Sequence, residues 1–122
     1  MSSTDAAVVA LGYVVVDSAQ ADAWRAFGAD VLGAQPVAGG DALWLRLDDR
    51  PYRLIVNAAQ REGLAAVGWE VRDAGALASL ETALRSAGVD VRRASDAEAF
   101  RRRVGGLVRC DDPSGTRSEE HT

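Results

Sequence analysis

Residues 66–73, AVGWEVRD, repeat residues 10–17, ALGYVVVD. Gly12 meets Gly68, Tyr13 meets Trp69, Val15 meets Val71 and Asp17 meets Asp73. Each copy is short, apolar and rich in β-branched residues, which predicts a buried strand. A helical period follows each copy. Residues 19–32 carry Trp24, Phe27, Val31 and Leu32 at helical spacing, and residues 76–87 place Leu77, Leu80 and Leu84 on one face. Asp17-Ser18 offers N-cap chemistry, and Gly33 and Gly88 stand where helix C-cap glycines belong.

The pattern continues downstream. Residues 42–47 read as a strand, 48–51 as a hairpin turn and 52–57 as the returning strand, with 35–38 as a further short strand. LRLDD at 45–49 is echoed by VRCDD at 108–112, at a wider separation than the first pair of copies. The extra residues fit a short inserted helix over 96–103. Strand, helix and a run of strands therefore occur twice, and such repetition means that neither half buries its apolar face alone. The predicted fold is α+β, one domain over 7–116 built from two tandem βαβββ modules of about 7–60 and 61–116.

The second module is expected to lack its last strand. In the first copy the turn Asp49-Arg50-Pro51 leads into YRLIV at 52–56; in the second, Asp112-Pro113-Ser114-Gly115 leads into RSEEHT at 117–122. That hexapeptide has no apolar residue to bury. An unpaired sheet edge would follow, and with it low solubility or self-association.

Composition excludes several classes. With 122 residues the chain is long enough for one core, and its net charge of -4 argues against nucleic acid or an anionic membrane as partner. The single cysteine rules out an internal disulfide, the first residues lack a basic stretch and cleavage site, and no apolar run approaches a membrane span. These features point to a soluble, cytoplasmic protein.

The chemistry-bearing residues each have a structural reading. His121 is the one histidine, so any imidazole mechanism runs through it; a polar terminus is expected to be disordered instead. Cys110 reads as a small sheet residue rather than an activated thiolate. Asp48-Asp49 and Asp111-Asp112 sit beside turns, and neighbours on a strand face opposite ways, so they are turn residues rather than paired acids or a Ca²⁺ site. Trp24, Phe27 and Trp44 are expected in the core rather than around a ligand cavity. Arg101-Arg102-Arg103 reads as a solvated helix face, and Val104-Gly105-Gly106 as a connector without the strand-to-helix context of a phosphate loop.

LGYVVVDSAQADAWRAFGADVLG, DALWLRLDDRPYRLIV, GLAAVGWEV and RRVGGLVRCDDPSG, in this order and spacing, resemble the vicinal oxygen chelate superfamily. Within it they are similar to the N-terminal domain of type I extradiol ring-cleavage dioxygenases, the group of the dihydroxybiphenyl and steroid-catechol enzymes. The resemblance runs from about Ala10 to Gly115. It implies a parent enzyme that opens catechol-type diols by meta-cleavage. A C-terminal catalytic domain, absent here, would hold Fe(II) or Mn(II) on two histidines and a carboxylate. The same resemblance implies no catalytic, cofactor-binding or metal-binding residue in this chain.

The family's first-strand histidine follows a Leu-Gly pair; Tyr13 stands at that place and Trp69 at its counterpart, as vestigial ligand positions. The family's DPxGxxxE pattern puts its glutamate at Glu119. The implied partners are the C-terminal domain and further copies in a homo-oligomer. RSEEHT is also the translation of the beginning of a widely used sequencing adapter, so 117–122 is read as a non-native tail. The rival reading is a metal-free, stand-alone small-molecule-binding protein of the same superfamily, which should possess its eighth strand. A glyoxalase- or epimerase-like enzyme would need His or Glu on the first strands, where Tyr13 and Trp69 stand.

Overall fold

A computed structural model describes residues 7–122. Residues 1–6, where the sequence reading found no leader, lie outside the described residues. The chain forms β1 (Val8–Ser18), α1 (Ala21–Asp30), β2 (Gln35–Gly39), β3 (Ala42–Arg46), β4 (Leu54–Ala58) and β5 (Gly63–Val71). It continues with α2 (Ala74–Ser86), β6 (Arg92–Arg93), α3 (Asp96–Arg101), β7 (Leu107–Asp111) and β8 (Arg117–His121). The α+β order βαβββ occurs twice, as the repeat predicts, with α3 as the insertion in the second copy.

The chain divides into two compact units, with β1 and β5 contributing to both. In the unit Tyr13–Val67 the strand order is β2-β3-β4-β1. β3 is antiparallel to β2 and β4, and β1 runs parallel to β4 with Val15 opposite Ile55. Tyr13, Val15, Trp44, Tyr52, Ile55 and Ala66 form one core cluster, in which Tyr52 meets Tyr13 edge-on at 5.4 Å and Trp44 at 4.7 Å. Ala34, Leu43, Leu45 and Val56 form another, with Trp24 packed against it. Helix α1 approaches this second cluster through Gly28, where an added Cβ would lie 2.7 Å from Leu45 Cδ2. Trp44 is core as expected, Trp24 is half-buried, and Phe27 is 45% exposed.

Helix α1 begins two residues later than the sequence suggested, because β1 continues through Ser18. Asp17 and Ser18 are held by the β4–β5 connection instead of capping the helix directly. Arg61 donates to Asp17 Oδ2 from Nε at 2.8 Å, and Ser18 Oγ donates to Glu62 Oε1 at 2.6 Å while accepting the Gln20 N–H. The Ser18 hydroxyl and then the Ala19 N–H hold the Glu62 carboxyl below its ordinary range.

The other unit comprises the residues up to Gly12 together with Gly68–Thr122, and its strand order is β5-β8-β7-β6. Its core joins Val71, Ala76, Leu77, Val91 and Val108. Asp73 caps α2 by accepting the Ala76 N–H at 2.8 Å, and Gly88 closes it at φ +83°. One aspartate of each pair serves a turn: Asp48 Oδ1 accepts the Arg50 N–H, and Asp112 Oδ1 accepts the N–H groups of Ser114 and Thr116, while Asp111 ends β7 opposite Arg117.

One prediction is corrected. The second module does not lack its last strand: residues 117–121 form β8, antiparallel to β7, with Leu107 opposite His121 and Asp111 opposite Arg117. The pairing continues to Thr122, whose N–H donates to the Gly106 carbonyl at 3.1 Å. The physical reason is that a β-ladder is made by backbone groups common to every sequence, so a polar hexapeptide can fill it. The expected free edge at this place is filled, and the aggregation argument built on it lapses.

Candidate functional site

β8 is polar throughout, yet Glu119 is 0%, Glu120 5% and His121 6% exposed. His121 was expected to be disordered and is instead buried. Burying such groups is costly unless each is compensated, so their partners define the chemistry here.

Glu119 is compensated by arginines. Arg102 at the C-cap of α3 grips it with both arms of its guanidinium, Nε to Oε1 at 3.0 Å and Nη2 to Oε2 at 3.2 Å. Arg109 Nε and Arg117 Nε each lie 3.4 Å from Oε2. Arg102 is placed by α3, whose start is fixed by a capping box in which Ser95 Oγ accepts the Glu98 N–H and Glu98 accepts the Ser95 N–H. Glu98 also accepts from Arg109 Nη1. The Ser95 N–H first, and Arg109 next, hold the Glu98 carboxyl down at about 2. The sequence reading put the 101–103 arginines on a solvated face. For Arg102, 17% exposed, this is corrected, because its guanidinium turns inward to the buried carboxylate.

Glu120 has neutral partners. Ser118 Oγ donates to its Oε2 at 2.5 Å, and the Cys110 thiol lies 3.8 Å from its Oε1. Burial pushes the Glu120 carboxyl above its ordinary range. Burial, and then the neighbouring Glu120 charge, push the Cys110 thiol up to about 11, the opposite of an activated thiolate. The His121 ring lies over the backbone of β1: a Cβ on Gly12 would overlap its Nε2.

The other sequence-predicted places are distributed as follows. Tyr13, in the unit Tyr13–Val67, is 3% exposed and packs edge-on to Tyr52. Trp69, in the other unit, is 37% exposed on β5 and offers only an N–H donor. Among the described residues no group of three His, Cys, Asp or Glu side chains is placed to hold a metal ion. No helix among them is long and apolar enough to cross a membrane.

Two clefts adjoin these elements. One, of about 250 Å³, lies along α1 between Gln20, Ala23, Trp24 and Phe27. The other, of about 740 Å³, is bounded by Arg92, Arg109, Arg117, Asp90, Asp111 and Asp112, among others; its opposite charges offset each other, so it has no pull on a particular ion. The buried carboxylates of β8 and the Asp17–Arg61 clamp were missed as buried groups. The signal available was the arginine content around them, Arg61 and Arg102 above all, which a single sequence shows only as surface charge.

Comparison with known proteins places this geometry. Residues 11–58 match the family model described as Dihydroxybiphenyl dioxygenase BphC D1. The chain is 38% identical over 115 residues to biphenyl-2,3-diol 1,2-dioxygenase of Sphingomonas paucimobilis, covering 93% of this chain and 38% of that protein. It is 35% identical over 111 residues to the iron-dependent extradiol dioxygenase of Rhodococcus jostii (strain RHA1), covering 89% and 37%. Its fold superposes on a crystal structure of catechol 2,3-dioxygenase with a TM-score of 0.91 and 38% identity, over 96% of this chain and 40% of that one. The chain spans about two fifths of the length of the relatives it matches. In sequence and in fold it matches the N-terminal domain of extradiol dioxygenases.

Proposed function

We infer that this chain is the non-catalytic N-terminal domain of an extradiol dioxygenase that opens catechol-type aromatic diols. The observation that carries the reading is coverage: near-complete matching of this chain against about two fifths of each relative. The ligand places support it. Tyr13 is packed into an aromatic cluster, Trp69 has no lone pair to give, and Glu119 is engaged by three guanidinium groups. This donor set does not fit an iron site. On this reading Fe(II) or Mn(II) chemistry belongs to a C-terminal domain, and the present domain packs against it within a cytoplasmic homo-oligomer. The native frame then departs from RSEEHT after Thr116.

The test is to sequence the genomic DNA past the codon for Thr116 and to express the full reading frame beside the 122-residue chain. Oxygen uptake and ring-opened product from 2,3-dihydroxybiphenyl and catechol are measured with Fe(II) added. The longer protein is expected to be active and the chain inert. Iron-dependent cleavage by the chain alone would overturn the reading.

One observation favours a second reading. β8 completes the second module, as a metal-free, stand-alone binding protein requires. DNA encoding RSEEHT followed by a stop codon would support it, and a continuing frame would remove it.

A further inference from the structure

The two helices of the repeat place their apolar residues differently. Spacing puts Leu77, Leu80 and Leu84 on one face of α2, and Trp24, Phe27, Val31 and Leu32 on α1 and its C-terminal cap. On α2 the face is covered: Leu77 is 2% exposed, and Leu80 and Leu84 pack against the cluster of Val71, Val91 and Val108. On α1 it is largely open: Phe27 is 45%, Val31 67% and Leu32 43% exposed. α1 meets its own sheet through Gly28 on Leu45 and through the half-buried Trp24. One copy of the βαβββ plan covers its helix and the other leaves a flank bare, so the plan alone does not account for the bare flank. Contiguous apolar surface of this kind marks an interaction site.

The flank itself says what covers it. Its stripe of Gln20, Ala23, Trp24, Phe27 and Val31 carries no charge, so two chains of net charge -4 can meet there without burying an ion. It holds both a knob and a hole. Phe27 stands edge-on to Trp24 at 5.8 Å, beside the cleft of about 250 Å³ walled by Gln20, Ala23, Trp24 and Phe27, which is room for one large aromatic side chain. The open area is on the order of 500 Å² per copy, so a pair removes about 1,000 Å² from water, the lower limit of a specific interface. We propose that this flank is a self-docking surface, on which two copies of the chain pair their α1 helices antiparallel about a two-fold axis between Trp24 and Phe27. Phe27 of each copy enters the cleft of the other, and Gln20 of one lies beside Val31 of the other. The contact is the same from both sides, so association stops at two. This gives a surface to the homo-oligomer of the proposed function, the one part of that reading on which it rests, and uses no residue of 117–122.

The test is sedimentation velocity of the full chain between about 1 and 500 μM, since an interface of this size gives a weak pair. A monomer–dimer equilibrium is expected, with nothing larger. Phe27→Asp is expected to raise the concentration at which half the chain is paired by at least tenfold. Ala29→Asp adds the same charge at an exposed position off the stripe and is expected to leave that concentration within twofold. A chain that stays monomeric, growth beyond the dimer, no effect of Phe27→Asp, or an equal effect of Ala29→Asp would overturn the proposal. An independent arm does not depend on the fold of Phe27→Asp. On a Cys110→Ser background, Gln20→Cys/Val31→Cys is expected to form a disulfide-linked dimer with diamide, and Gln20→Cys/Ala29→Cys is not. The two cysteines of one chain lie too far apart along α1 to join each other. Absence of the linked dimer, or its formation by both pairs, counts against the proposal. None of these measurements involves oxygen uptake, so the pairing and the dioxygenase reading fail separately.

Discussion

At Gly12 the absence of a side chain is a packing requirement, since a methyl group there would meet His121 Nε2 and lie 3.3 Å from the Gly68 carbonyl. Gly12→Ala is expected to destabilise the unit by about 1–3 kcal/mol, the usual cost of overpacking. Urea unfolding measures it. In a double-mutant cycle the penalty should largely vanish on a His121→Ala background, whereas a full penalty there would place the strain elsewhere. Glu120 makes a pH prediction. Its carboxyl is raised by burial, so its contribution is fully present below the ordinary carboxylate value and is lost as pH rises through the folded value. Glu120→Gln should therefore leave stability near the parent's at pH 4 and raise it at pH 8. An equal gain at both pH values would show that titration is not the cause. Glu98 acts in the opposite sense: its carboxyl, lowered to about 2, supports the fold above the ordinary value and loses that support as pH falls toward about 2.

Among the elements, α3 is a six-residue helix, too short to persist on propensity alone. Its capping box starts it, and its far end delivers Arg102 to Glu119. Ser95→Ala is expected to cost about 1 kcal/mol and to loosen β8 through Arg102. Hydrogen exchange should rise at 96–101 and at 117–121 together; a rise confined to α3 would uncouple the two. The strands and α2 were legible because periodicity and caps are local: Asp73 and Gly88 bracket α2 as their residue types suggest. The start of α1 was not, because Asp17 and Ser18 are claimed by Arg61 and Glu62, more than forty residues away in sequence. No local rule reports such a partner.

For the chain as a whole, β8 is the element on which the second module depends. Ending the chain after Thr116 removes it and leaves the facing edges of β5 and β7 unpaired in the unit that contains Gly68–Thr122. Self-association is expected, seen as a rise in mass by light scattering between micromolar and tenfold higher concentrations. A monodisperse monomer of the shortened chain would contradict this.

The sequence by itself determined the duplicated βαβββ plan and the turn roles of Asp48 and Asp112. These follow from spacing, residue type and a visible repeat, all local properties. Tertiary structure decided the rest. It made a strand of RSEEH, since ladder bonds ignore side chains, and it turned Arg102 inward, since a buried carboxylate at Glu119 needs a cation within reach. It also set His121 on Gly12, a contact between residues far apart in the chain that only the folded strand order brings together.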